Sequence, residues 1–172
     1  MIATFTAFDT HTEVSGQFIA DNLAHIKAAT LYPVLEAQGL NHIDTQRWYP
    51  IQVWLNVLRN LAQDAPTSTD FVATGIRIGE QLTLSPEVKS IETALRALEA
   101  FYTNNHRGGD AGYIEVLPST HRVVTLHIHT PYPANLWYGV IYGVARRFLP
   151  PRSTLQVAME TLEDVHRYIV SW

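Results

Sequence analysis

The spacing of apolar residues along the chain changes from three and four to two near Gly112. Phe18, Ile19, Leu23 and Ile26 fall on one face of a helix predicted over 14–29. Thr30 is placed to cap a short helix over 31–38, and Gly39 to end it. Val53, Trp54, Val57, Leu58 and Leu61 form the stripe of a stronger helix over 44–62, with Pro50 in its first turn. A connection over 63–69 contains Pro66, and Ser68 or Thr69 can cap the next helix, over 70–82. Gly75 and Gly79 lie four apart in it, so another backbone can approach that face closely. Ser85-Pro86-Glu87 reads as cap, first-turn proline and first-turn acid of a helix carrying Val88, Ile91, Leu95, Leu98 and Tyr102. It ends before the Gly108-Gly109 break.

From there the pattern is that of strands. Residues 113–117 form a short strand, and Pro118-Ser119-Thr120-His121 a turn. Residues 122–129 alternate strictly, with Val124, Leu126 and Ile128 on one face and Val123, Thr125, His127 and His129 on the other. Pro131 and Pro133 stop the strand. Trp137, Ile141, Val144 and Phe148 stripe a helix over 134–148, with Gly139 and Gly143 as a small-residue notch. That helix carries no charge until Arg146-Arg147, which predicts burial of most of its surface and a cation-favouring end. Residues 153–159 and 165–170 read as a closing hairpin joined by 160–164. The expected fold is one α+β domain over 1–172. Four or so helices come first, followed by a small antiparallel sheet in β-β-α-β-β order backed by the buried helix.

Composition sharpens this picture. Of the 172 residues, 47% are hydrophobic and 16% charged, the latter below the ~25% common in soluble domains. So light a charge predicts that further surface is covered in an oligomer. There is no cysteine, which excludes disulfides, thiolate metal sites and cysteine nucleophiles. A net charge of −4 with scattered arginines leaves no concentrated basic face for nucleic acid. The start, Met1 to Phe8, lacks the basic and apolar regions of a secretory signal. The uncharged stretch 130–145 is too short to cross a bilayer and holds two prolines. A soluble, cytoplasmic protein is expected.

Two stretches carry a resemblance. Leu126-His127-Ile128-His129-Thr130-Pro131-Tyr132, followed by the Gly139-to-Phe148 helix, resembles the superfamily of haem-binding H-NOX domains, vinyl-reductase-type small-ligand domains and TRAPP tethering subunits. Across nearly the whole length the chain is similar to a bacterial family of uncharacterised proteins in that superfamily. The matching pieces are Trp48-Tyr49-Pro50, Gly75 to Gly79, Asn105 to Gly112, Tyr132 with Gly139, and Arg167 to Trp172. The resemblance implies a ligand-binding or sensory module. It also exposes departures. The Tyr-x-Ser-x-Arg signature that holds haem propionates is replaced here by Ile128, Thr130 and Tyr132. The helix that would carry the proximal histidine has none, and His106 follows it in a Gly-rich turn. The fold is therefore expected without haem, and the cofactor is left unknown.

Candidate chemistry is sparse. Trp48, Tyr49 and Trp54 cluster at one helix start, and Tyr132, Trp137 and Tyr138 at another. Aromatics with polar tips line small-ligand pockets as readily as they fill cores. His127 and His129 share a strand face and could begin a metal site, with His121 and Glu115 the nearest further ligands. The alternative is a plain polar sheet face. The Gly108-Gly109 turn, with His106, Arg107 and Asp110, could cradle an anion or simply join a helix to a strand. No nucleophile elbow or His-Glu-x-x-His motif occurs. The leading expectation is a non-catalytic module that binds a small apolar or aromatic ligand between helices and sheet and reports it through a homodimer or a signalling partner. A scaffold domain with a filled interior and a metal-dependent enzyme using His127 and His129 are the alternatives.

Overall fold

The computed structural model describes residues 4–26, 28–63, 68–118 and 120–172. The expected connection around Pro66 and the turn residue Ser119 fall outside them, as do the capping side chains expected of Thr30, Ser68 and Thr69.

The order of elements is β1 (Glu13–Ser15), α1 (Gly16–Leu23), α2 (Ala28–Ala37), β2 (Trp48–Pro50), α3 (Ile51–Gln63), α4 (Ser68–Gln81), α5 (Ile91–Asn104) and β3 (His106–Arg107). Then come β4 (Tyr113–Val116), β5 (Val123–His129), α6 (Ala134–Arg146), β6 (Gln156–Leu162) and β7 (Val165–Ser171). The C-terminal part is the expected antiparallel sheet in β-β-α-β-β order, with strands arranged β4-β5-β7-β6. Val124, Leu126, Ile128, Tyr168 and Val170 of its inner face are fully buried.

The N-terminal part differs from expectation at several element boundaries. A three-stranded sheet, β2-β1-β3, ties the helices together. Val14, expected in a helix, pairs with Tyr49 on one side and His106 on the other. The helix starts after it because the Ser15 side chain accepts the Phe18 N–H at 3.1 Å, an N-cap. Likewise the helix expected from Asp44 begins at Ile51, since Trp48–Pro50 are used by the strand. The helix expected from Pro86 begins at Ile91. Ser85 closes a turn with Val88, and Ser90 and Thr93 form a reciprocal capping box that outcompetes the earlier signal. The first strand of the closing hairpin is shifted: it runs over 156–162 instead of 153–159, so Leu162 faces Val165 across two residues. Gly39 ends α2 at φ 69°, with its N–H bonded to the Glu36 carbonyl and that of Leu40 to Leu35.

The two glycine notches face each other. A Cβ on Gly75 would lie 2.2 Å from the Leu136 carbonyl oxygen, and one on Gly139 would lie 2.3 Å from that of Val72. α4 and α6 thus cross backbone on backbone. Arg146 pairs with Glu80, while Arg147 donates to the carbonyls of Gly79 at 3.1 Å and Leu82 at 2.7 Å, capping the end of α4. No helix among the described residues is long and apolar enough to cross a membrane.

Candidate functional site

The centre of the molecule lies where α1, α5, β3 and the segment leading into α6 converge. Capping sets the positions. Ser15, at the start of α1, donates to the Asn105 side chain at 2.5 Å, and its N–H to the Asn105 carbonyl at 3.0 Å. This fastens the start of α1 to the end of α5, so Phe18 meets Phe101, His106 and Tyr132 at centroid distances of 5.6, 5.3 and 5.8 Å. Tyr102 stands edge-on to Tyr132 and Trp137.

His106 is the polar residue at the heart of this cluster, 8% exposed. Its Nδ1 lies 2.8 Å from the Tyr102 carbonyl, which can only accept, so Nδ1 carries the proton. Nε2 then accepts from the Tyr132 hydroxyl at 2.7 Å. Burial pushes the imidazole down to about 4, against a smaller opposing effect of the Tyr102 carbonyl, so the ring is neutral. Burial likewise raises the phenols of Tyr102 and Tyr132 above their ordinary range. Tyr102 donates to the Ala111 carbonyl at 2.5 Å, and Trp137 Nε1 to Thr130 Oγ1 at 2.8 Å. Both ring nitrogens of the histidine are engaged, and the polar tips of these three aromatics are satisfied internally.

Two spaces meet at Phe101, and a third, of about 200 Å³, lies against Tyr102, His106 and the Gly109-to-Gly112 turn. A small cavity bordered by Phe18, Tyr132 and Trp137 measures about 10 Å³, room for about one water. A groove of about 480 Å³ opens beside it between α1, the end of α4 and α5. Its walls include Ala24, Leu82 and Phe101, with Gln17, Asp21 and Asn105 as polar groups. Ile78 and Phe101 border both spaces. His25 on the groove has its pKa lowered, by burial first and by Arg77 second.

The structure gathers part of the sequence-predicted set. Tyr132 and Trp137 border the small cavity. Trp48, Tyr49, Trp54 and Tyr138 line neither space. Trp48 instead lies under the Arg107 guanidinium at 4.3 Å, and the Tyr49 hydroxyl accepts the Asp44 N–H at 2.9 Å. Trp54 is fully buried, and its Nε1 has no partner among the described residues. His127 and His129 do share one face, but their neighbours differ. His127 lies 3.8 Å from Glu115, whereas His129 stacks on Phe8 at 4.6 Å and bonds the Asp164 carbonyl. No group of three or more His, Asp or Glu among the described residues could hold a metal ion. The Gly108-Gly109 turn is packed against the chain itself: a Cβ on Gly109 would meet the Asp9 carboxyl carbon at 2.7 Å. Periodicity places Phe18 and Tyr102 on helix stripes and His106 in a turn, and nothing local joins them to Phe101. The Ser15 cap and the strand pairing that bring them together act over 90 residues of chain.

No family model matches the chain, and no curated protein matches it. Solved structures do. An H-NOX protein from S. oneidensis, in its Fe(II)NO ligation state, superposes with a TM-score of 0.69 at 12% identity, over 91% of this chain and 98% of that one. The unliganded Fe(II) H-NOX protein from K. algicida gives 0.67 at 11% identity, over 91% and 95%. A structure concerned with haem redox potential and porphyrin distortion gives 0.66 at 8%, over 92% and 99%. The strand order, the helix between the two hairpins and the helical N-terminal part are thus those of an established architecture: this chain has an H-NOX-like fold.

Proposed function

We propose that the protein is a non-catalytic sensory or small-molecule-binding module that takes a small apolar or aromatic ligand in the groove between α1, α4 and α5, without haem. The observation that carries this reading is the position of the groove: it borders the buried aromatic cluster across Ile78 and Phe101. Its size falls within the ~300–1,000 Å³ usual for ligand sites, and Ala24, Ile78, Leu82 and Phe101 give it an apolar wall among six polar residues. Rotation of the Phe101 ring would join groove and cavity and let a ligand touch Phe18 and Trp137.

The residues present do not fit haem held in the H-NOX manner. Ile128 is fully buried on the inner face of the sheet. Thr130 is engaged by Trp137, and Tyr132 by His106. None of these three positions supplies a cation for a propionate, and the hydroxyls of Thr130 and Tyr132 are engaged within the protein. His106, the histidine nearest the family's proximal position, has no free ring nitrogen.

The filled interior favours a second reading, a protein-interaction domain of the tethering-subunit kind. Native mass spectrometry and an absorption spectrum of the protein as purified separate the two. The proposal expects a bound small organic molecule and no haem absorbance. A stoichiometric haem band would overturn the haem-free reading. A bare chain that stays bare on exposure to small aromatics such as indole would favour the interaction domain.

A further inference from the structure

β6 is the last strand of the four-stranded sheet, and it is unusually open. Six of its seven residues are exposed, and it has no strand on its far side among the described residues. Edge strands are ordinarily blunted by lysine, proline or a bulge. β6, Gln-Val-Ala-Met-Glu-Thr-Leu, has neither residue, and its register with β7 runs unbroken from Gln156 to Leu162. Two of the large exposed hydrophobics lie on it, Met159 at 39% and Leu162 at 42%.

The direction of its free backbone groups follows from the register. The Trp172 N–H bonds the Arg122 carbonyl, so even-numbered residues of the last strand bond towards β5 and odd-numbered ones towards β6. Gln156, Ala158, Glu160 and Leu162 are the partners of those odd-numbered residues. Val157, Met159 and Thr161 therefore point their N–H and C=O groups outward.

We infer that β6 is a homodimer interface, pairing antiparallel with β6 of a second copy about a two-fold axis at Met159. That register sets Met159 opposite itself, Ala158 opposite Glu160 and Val157 opposite Thr161, so no like charges face each other. The one acid of the strand, Glu160, is already neutralised by Arg167 across the hairpin. Met159 and Val157 lie on the inner face, beside the buried Tyr168 and Val170. The second copy would cover them where α6 does not, and would extend the sheet to eight strands. An isologous pairing of this kind closes after two copies. The inference is independent of the groove and its ligand.

The test combines light scattering with hydrogen exchange on the ligand-free chain. The expected result is a dimer in which the amides of Val157, Met159 and Thr161 become protected as concentration rises. Met159→Lys should give a folded monomer with those amides exchanging freely. Met159→Pro, which removes an outward N–H and leaves the β7 ladder intact, should do the same, and if it fails to fold Met159→Lys stands alone. A monomer at all concentrations, or a dimer that survives Met159→Lys with the β6 amides unprotected, overturns the proposal.

Discussion

α6 meets its neighbours in two different ways. Against α4 it lies backbone to backbone, with Gly75 and Gly79 opposite Gly139 and Gly143. Against α1 and α5 it presents Trp137 to a cluster of rings that border a cavity and a groove. The first contact has no side chain that could turn aside. The second is made of rings that rotate about single bonds and whose polar tips can find other partners. The same helix thus has one rigid side and one adaptable side.

The rigid side gives the largest expected effect. In Gly139→Val the new Cβ would meet the Val72 carbonyl at 2.3 Å and the Ile76 nitrogen at 2.8 Å. Because these are backbone atoms, relief requires the helices to part. The loss should reach or exceed the upper end of the ~1–3 kcal/mol typical of overpacking. Chemical denaturation measures it. A variant as stable as the parent would show that the helices are not in direct backbone contact.

The adaptable side has its own electrostatic signature. The His106 pKa of about 4 is below the ordinary value of 6.5. As pH falls through 6.5 the unfolded chain takes up a proton that the folded chain refuses until about pH 4. Stability conferred by the neutral ring is therefore complete above pH 6.5 and lost progressively down to about pH 4. The loss is on the order of 3 kcal/mol. His106→Gln, which can still donate to Tyr102 and accept from Tyr132, should flatten that part of the pH–stability profile. An unchanged slope between those pH values would mean that His106 is not the buried neutral ring described above.

The rigid side was legible in the sequence and the adaptable side largely was not. Two Gly-x-x-x-Gly notches on two predicted helices announce close approach, because small residues four apart share a face whatever the partner. Alternation over 122–129 fixed which side of β5 is buried for the same local reason. Val14, Ser15 and His106 carry no such period. A three-residue strand is too short to show alternation, and its pairing with β2 and β3 is set by residues far along the chain. The aromatic cluster depends on that pairing, so Tyr132 and Trp137 could be named but not joined to Phe18, Phe101 and His106. Trp48, Tyr49 and Trp54 are neighbours in sequence, but the strand-to-helix change at Ile51 sends their side chains to different surroundings.

The smallest effect on stability should be the most informative about the groove. Phe101 is half-buried and borders both spaces. Phe101→Leu keeps the wall apolar and removes the ring, so the cost should stay near 1 kcal/mol. Binding should change far more than stability. Without the ring the groove and the cavity behind it merge, and Trp137 comes within reach of whatever enters. Indole titrated into the variant and followed by calorimetry should show an affinity altered several-fold, since each 1.4 kcal/mol of contact is about tenfold. Tyr49→Leu, which removes an aromatic ring from a position that lines neither space, should leave the titration as it was. Equal effects of the two substitutions would mean that the ligand does not enter beside α1 and α5, and would return the site to the half-buried aromatics of β2.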